Sequence, residues 1–250
     1  MSKESDEFYN QGYCYYSGAN GYPLNYNKAL EFFEKAAGLG NADAMNYLGV
    51  MYQHGQNVVK SSSAAAGWYT KAIEADNRNA YAAHNLAGLY YNGDGVPKNM
   101  VKAFQLYKAS VDLGLGNTTS VYPQSCYMAG LIMMDYYKSL REAVPYFIDA
   151  AKHGNIAEAW HNLGWLCEQG AMNVSKEDIR ATALGFYKSA AELGFVQSMD
   201  AVGRIYASVQ MLDEARVWIK RAANEGYEPA KKRLKMLNVA QSGSLWDLLK

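Results

Sequence analysis

Two kinds of block alternate along the chain. The first is an apolar residue, a glycine and, three residues further on, a tyrosine, as in Leu48-Gly49-Val50-Met51-Tyr52 and, with alanine for glycine, Leu86-Ala87-Gly88-Leu89-Tyr90. Weaker copies are Gly12 with Tyr15, Gly130 with Met133, Leu163-Gly164 with Cys167, and Val202-Gly203 with Tyr206. With Gly12, Gly49, Ala87, Gly130, Gly164 and Gly203 as markers, the spacings are 37, 38, 43, 34 and 39 residues, which is the period of helical-repeat architectures. The second block is an aromatic or large apolar pair with small residues four and five positions after its first member: Phe32-Phe33 with Ala36-Ala37, Trp68-Tyr69 with Ala72-Ile73, Leu106-Tyr107 with Ser110-Val111, Tyr146-Phe147 with Ala150-Ala151, Phe186-Tyr187 with Ala190-Ala191, and Trp218-Ile219 with Ala222-Ala223. Three residues later stands Gly40, Asp76, Gly114, Gly154, Gly194 or Gly226. Residues at i, i+1, i+4 and i+5 share one face of a helix, and a glycine just past them marks its end. The pattern predicts six units, each of two antiparallel helices.

Small residues at the marker positions are expected to let the first helix approach its neighbour's backbone, with the tyrosine three residues on packing beside it. Gly93-Asp94-Gly95-Val96-Pro97-Lys98-Asn99 reads as a tight turn whose Asn99 caps the next helix, and Gly18, Gly55 and Gly170 stand where Gly93 does. Lys35, Lys71, Lys108 and Lys152, near the ends of second helices, suit the negative end of the helix dipole. After Glu228-Pro229, the run Lys231-Lys232-Arg233 with Lys235 reads as the solvated face of a terminal helix whose apolar side is Ala230, Leu234 and Leu237, the cap that a solenoid needs.

These motifs resemble the Sel-one-like repeats, a branch of the tetratricopeptide-repeat superfamily. The third unit, Ala82 to Gly114, carries the family pattern most fully, in Asn85-Leu86-Ala87, Tyr90, Gly93, Gly95-Val96-Pro97, Asn99 and Lys102-Ala103. The resemblance covers residues 6 to about 235. It implies an all-α fold, a right-handed α-solenoid of about six helix-turn-helix repeats with a C-terminal capping helix, spanning 1–241. The chain departs from the family at Gln11, at Ala87, in an expanded turn from Gly18 to Leu24 and in an extra loop from Leu115 to Pro123. Secreted members can carry a cysteine pair in each repeat, some of them associated with β-lactam binding or hydrolysis; no unit here holds such a pair. The resemblance also implies that first helices line a concave surface, through positions three before and four after the marker. Those rows are Tyr9, Asn46, His84, Tyr127, His161 and Asp200, and Tyr16, Gln53, Tyr91, Met134, Glu168 and Ala207. Tyr, His, Asn and Gln offer contact area and hydrogen bonds suited to a polypeptide. Asn10, Asn85 and Asn162, two before the marker, are expected to bond to adjacent loops.

Composition narrows the partner. Among 250 residues, 24 Lys and Arg balance 24 Asp and Glu, so no bulk charge draws the chain to nucleic acid or an anionic membrane. Cys14, Cys126 and Cys167 form no CxxC pair and read as buried thiols in a reducing, cytoplasmic setting. The charged start, Ser2-Lys3-Glu4, is unlike a signal peptide, and no apolar run reaches a membrane span. His54, His84, His153 and His161 lie outside metal-ligand spacing, and no serine or cysteine sits in a nucleophile motif. The expectation is a non-catalytic scaffold or adaptor, without cofactor or metal, that binds a peptide or partner domain in its concave face through Tyr9, Tyr16, Asn46, Gln53, His84, Tyr91, Tyr127, His161, Glu168 and Asp200. The alternative is a regulator, inhibitor or effector-type protein that binds one enzyme through its edges and the 115–123 loop. A short tail, 242–250, carries Leu245, Trp246, Leu248 and Leu249, which are expected either to cover the last repeat or to dock on another molecule, including a second copy in a dimer.

Overall fold

The computed structural model describes residues 3–114 and 120–239, among which there are thirteen helices and no strand. The expected all-α repeat fold is what the chain adopts. Two compact units divide between Ile132 and Met133. Unit 1 holds α1 (Lys3–Ser17), α2 (Tyr26–Gly38), α3 (Ala42–His54), α4 (Ser62–Ala75), α5 (Ala80–Asn92), α6 (Met100–Gly114) and most of α7 (Tyr122–Asp135). Unit 2 holds α8 (Leu140–Gly154), α9 (Ala157–Glu168), α10 (Ile179–Glu192), α11 (Val196–Ser208), α12 (Leu212–Asn224) and α13 (Glu228–Val239). Part of the inserted loop, 115–119, and the tail with Leu245, Trp246, Leu248 and Leu249 lie outside the described residues.

Odd-numbered helices up to α11 carry the markers and even-numbered helices the aromatic blocks, so each repeat is a first and a second helix. In unit 1, α1 packs on α2, α3 on α4 and α5 on α6; in unit 2, α9 packs on α10 and α11 on α12. Local sequence fixes where they start and stop. The side chains of Asn25, Asn41, Ser61, Asn79 and Asn99 accept bonds from the N–H three residues on, at 2.9–3.1 Å, which satisfies one of the orphan donors of each helix start. Gly93 ends α5 at φ 78° and donates its N–H to the Leu89 carbonyl at 2.8 Å; a side chain is disfavoured in that left-handed conformation. The fourth repeat departs from expectation: Gly154 stays inside α8, and Asn155 takes the left-handed position at φ 50°, as Asn tolerates better than most residues.

The markers pack differently from the expectation. What lies against Gly12, Gly49 and Gly164 is the large residue of the second helix in the same repeat; at Gly203 the Ala215 backbone carbonyl joins Ile219. A Cβ built on Gly49 would stand 2.5 Å from Tyr69 Cε1, on Gly164 2.7 Å from Tyr187 Cε1, and on Gly12 2.7 Å from Phe33 Cδ1. Phe33, Tyr69 and Tyr187 are among the most deeply buried side chains in the protein, and the absent Cβ is the space that each ring fills.

The terminal helix α13 packs on α12 with Ala230 and Leu237 buried. Lys231 pairs with Glu228 at 2.7 Å. Arg233 departs from the expected solvated run and forms an ion pair with the buried Asp200 of α11.

Candidate functional site

The row three before the marker runs along a contact between successive repeats. Asn46 is buried and accepts a bond at 3.0 Å from Nδ2 of Asn85. Asn85 was expected to reach a loop; it reaches the preceding first helix. His84 Nδ1 lies 2.8 Å from Ser125 Oγ, and His161 Nδ1 lies 2.7 Å from Ser198 Oγ. Both serines stand five residues before a marker, so the same bond recurs in two repeats. Ser125 and Ser198 are fully buried, which keeps these His–Ser pairs from a substrate and makes them packing contacts. Burial holds the His84 imidazole well below its usual pKa, at about 4, and lowers that of His161. Asp200 carries its pair with Arg233. Tyr127 is half-buried on α7, and Tyr9 belongs to a ring cluster described below.

The row four after the marker meets the second helix. Tyr69 donates its hydroxyl to Gln53 Oε1 at 2.6 Å, and Tyr187 donates to Glu168 Oε2 at 2.8 Å. Arg204 also holds both Glu168 oxygens at 2.9 Å. Where the second-helix residue has no hydroxyl, this position carries no carboxylate or amide: Tyr16 lies against Phe33 at 6.1 Å between ring centroids, and Ala207 occurs in the repeat of Ile219. Tyr91 lies under the Lys98 ammonium at 5.9 Å. Polar side chains at Asn46, Gln53, His84, His161, Glu168 and Asp200 are therefore already engaged within the chain.

The more open stripe of the first helices lies at other registers: six and two before the marker and one after it. Tyr13 and Tyr81 are 41% and 39% exposed. In unit 1 Tyr13 belongs to a cluster in which Tyr9 lies 6.4 Å from Tyr13 and 6.0 Å from Tyr47, with Tyr13 edge-on to Tyr47 at 5.7 Å and Tyr16 edge-on to it at 5.1 Å; Tyr81 borders it, with its hydroxyl 3.4 Å from Ser120 Oγ. Burial, followed by the nearby Tyr13, Tyr16, Tyr81 and Asp43, pushes the Tyr47 phenol up to about 12, and Tyr9 is raised for similar reasons. At the edge stand two carboxylates. Asp6 accepts from Nδ2 of Asn41 at 3.2 Å and Asp43 from Nδ2 of Asn79 at 3.0 Å. Neither has an ion-pair partner among the described residues. Sequence reasoning missed Tyr13, Tyr47, Tyr81, Asp6 and Asp43; aromatic residues at i and i+4 in Tyr9 and Tyr13, beside Tyr47 one repeat on, were the available signal.

Unit 2 offers a different surface. Two adjoining clefts, of about 480 and 400 Å³, share Lys176, Arg180 and Ile205. Leu184, Tyr206, Val209 and Met211 give the larger an apolar wall. Among the described residues no group of His, Cys, Asp and Glu could hold a metal, and no helix is long and apolar enough to cross a membrane. None of the three cysteines forms a disulfide; Cys126 and Cys167 are buried as expected and Cys14 is half-buried.

The register of markers and aromatic blocks agrees with a family model. The Sel1 repeat model matches residues 9–41, 42–77, 80–115, 157–195 and 212–227. The chain belongs to the Sel1 repeat family. The stretch between the third and fourth matches contains α7 and α8, where Pro145 and Asn155 depart from the other Sel1 repeats. A curated relative, cytochrome c oxidase assembly factor 7A of Xenopus laevis, is 29% identical over 120 residues, 46% of this chain and 51% of that protein. Among solved structures, a protective antigen of uropathogenic Escherichia coli displaying an SLR fold superposes with a TM-score of 0.77 at 27% identity, over 92% of this chain and 48% of the antigen. A Sel1 repeat protein of Oxalobacter formigenes superposes with a TM-score of 0.67 at 26% identity, over 89% and 88% of the two chains. The chain thus spans about half the length of the assembly factor and of the antigen.

Proposed function

We propose that this protein is a non-catalytic interaction scaffold that holds a polypeptide segment of a partner on the first-helix face of unit 1. Sel1 and related repeats generally mediate protein–protein interaction, and the Xenopus relative is itself named an assembly factor. The observation that carries the reading is the tyrosine cluster. Tyr13 and Tyr81 expose large ring area around the half-buried Tyr9 and Tyr47. Tyrosine gives such contact at small cost in conformational entropy, having few rotatable bonds and a polar tip. Of the rows expected to bind, Tyr9 and Tyr16 belong to this ring cluster, while Asn46, Gln53, His84, His161, Glu168 and Asp200 bond within the chain.

The test is affinity capture from a native lysate with the unaltered chain, a Tyr13→Ser, Tyr81→Ser variant and a Glu31→Gln variant on the other helix layer. Partners held on this face are expected to be lost by the tyrosine variant and kept by the glutamine variant. Equal recovery by all three would move the binding surface elsewhere, with the unit 2 clefts next in line.

A further inference from the structure

Several half-buried rings elsewhere in the protein lie under the chain's own cations. Lys28 lies over Tyr15 at 4.9 Å, Lys71 over Trp68 at 4.4 Å, Lys102 over Tyr90 at 5.1 Å, Lys188 over Tyr206 at 5.1 Å and Arg221 over Trp218 at 4.6 Å. Among the described residues no Lys or Arg covers Tyr9, Tyr13, Tyr47 or Tyr81. The sequence accounts for the difference. Helices α3 and α5 contain neither Lys nor Arg, and α1 has only Lys3 at its start.

The carboxylates beside these rings are likewise unmatched. In unit 2, Glu168 and Asp200 on first helices meet Arg204 and Arg233 from the next helices of that layer. Asp6 and Asp43 in unit 1 meet only side-chain amides. An amide satisfies hydrogen bonding and leaves the charge in place. Asp43 is pushed above its ordinary pKa, first by burial and then, against the Asn79 bond, by Asp76 and Asp6. Partial loss of solvent is the larger cause, and the two neighbouring carboxylates add to it.

We propose that the partner segment held on unit 1 carries an arginine or lysine side chain, which seats at the cluster of Tyr9, Tyr13 and Tyr47 that Tyr81 borders, beside Asp43. This rests on the scaffold reading above and specifies its occupant. A guanidinium or ammonium over a tyrosine face is attracted by the ring quadrupole, and the adjacent carboxylate supplies the opposite charge.

The probe is an end-capped, fluorescein-labelled peptide of alternating Gly and Arg, compared by fluorescence anisotropy with the same peptide containing citrulline, the neutral shape analogue of arginine. With the full chain, the citrulline peptide is expected to bind at least about tenfold more weakly. Asp43→Asn keeps an acceptor for Asn79 and should weaken the arginine peptide roughly fivefold without changing the melting temperature. Tyr13→Leu with Tyr81→Leu should weaken it similarly, Glu31→Gln should leave it unchanged, and salt should compete. No binding of the arginine peptide, equal binding of the citrulline peptide, or equal weakening by Asp43→Asn and Glu31→Gln overturns the proposal. If both peptides bind alike and the tyrosine variant weakens both, the cation fails and the scaffold face stands. If the tyrosine variant also keeps every partner captured from lysate, the face falls with it.

Discussion

In unit 1, five successive helices, α2 to α6, start at an Asn or Ser whose side chain accepts a bond from the helix N–H three residues on. The residues before α8 to α12 in unit 2 form no such side-chain bond. Two of the unit 1 caps, Asn41 and Asn79, also donate to Asp6 and Asp43 of the preceding first helix, so a single amide starts one helix and aligns it with another. Unit 2 aligns its first helices with charge, Arg204 on Glu168 and Arg233 on Asp200. The His–Ser bond is common to both. One consequence is functional. Cross-linking by amides leaves unit 1 with unneutralised carboxylates next to open aromatic rings, whereas the ion pairs of unit 2 neutralise Glu168 and Asp200.

The largest expected effect tests what the two units share. Gly49→Leu in unit 1 and Gly164→Leu in unit 2 each place a side chain where even a Cβ meets a buried tyrosine ring, at 2.5 and 2.7 Å. Each should cost roughly 3 kcal/mol, the upper end for overpacking, read as a lower midpoint in urea unfolding. If one melts like the parent, the repeats of the two units are not built on the same contact.

The next pair separates the units. Asn79→Ala removes a helix cap and the donor to Asp43, and should cost about 1–2 kcal/mol. Asp200→Asn leaves Arg233 without its charge partner; because that arginine side chain is 33% exposed, the cost should be about 2 kcal/mol rather than the 3–5 of a fully buried pair. Asp43→Asn should fall within about 0.5 kcal/mol of the parent, as a surface change that keeps its bond. Urea titrations decide it: an Asp43→Asn loss as large as that of Asp200→Asn would make the unit 1 carboxylate structural and remove the basis of the comparison.

These contrasts also mark what the sequence could disclose. Helix pairing, turns at Gly93 and its counterparts, the Asn99 cap and the terminal helix were legible because each is set by residues close together in the chain. The marker glycines were recognised, but their contact was assigned to a backbone when it is the ring of Tyr69 or Tyr187 one helix away. The outward register was hidden for a related reason. Whether His84 or Tyr81 faces outward depends on Ser125, some forty residues further along, and helical periodicity does not encode that pairing. Arg233 looked like one of a solvated run because its partner Asp200 is a repeat away.

A pH prediction follows from the feature that the units share. His84 has a folded pKa near 4, from burial, and an unfolded value near 6.5. Above pH 6.5 the imidazole is neutral in both states; below it, the unfolded chain takes up a proton first, so stability falls as pH drops from about 6.5 toward 4. The slope is about 1.4 kcal/mol per pH unit for one such proton. His161, also lowered, contributes with the same sign in unit 2. Thermal melts at pH 7 and pH 5 should show a smaller difference for His84→Gln than for the parent, and equal differences would mean that His84 is protonated in the folded state.

The smallest effect is a gain. Gly67 in α4 and Gly185 in α10 each stand two residues before the tyrosine that covers a marker, one in each unit, and a Cβ on either would meet nothing within 4 Å. Both have helical neighbours and no positive φ, so neither needs the freedom of glycine. Replacing Gly by Ala in a helix interior removes conformational freedom from the unfolded chain and adds about 0.5–1 kcal/mol. Gly67→Ala and Gly185→Ala should therefore raise stability by similar amounts, and the double variant by about their sum, because distant independent sites add. A gain in one unit with a loss in the other would show that second helices at this register are packed differently in the two units, and the contrast drawn from first helices and caps would then extend to the second-helix layer.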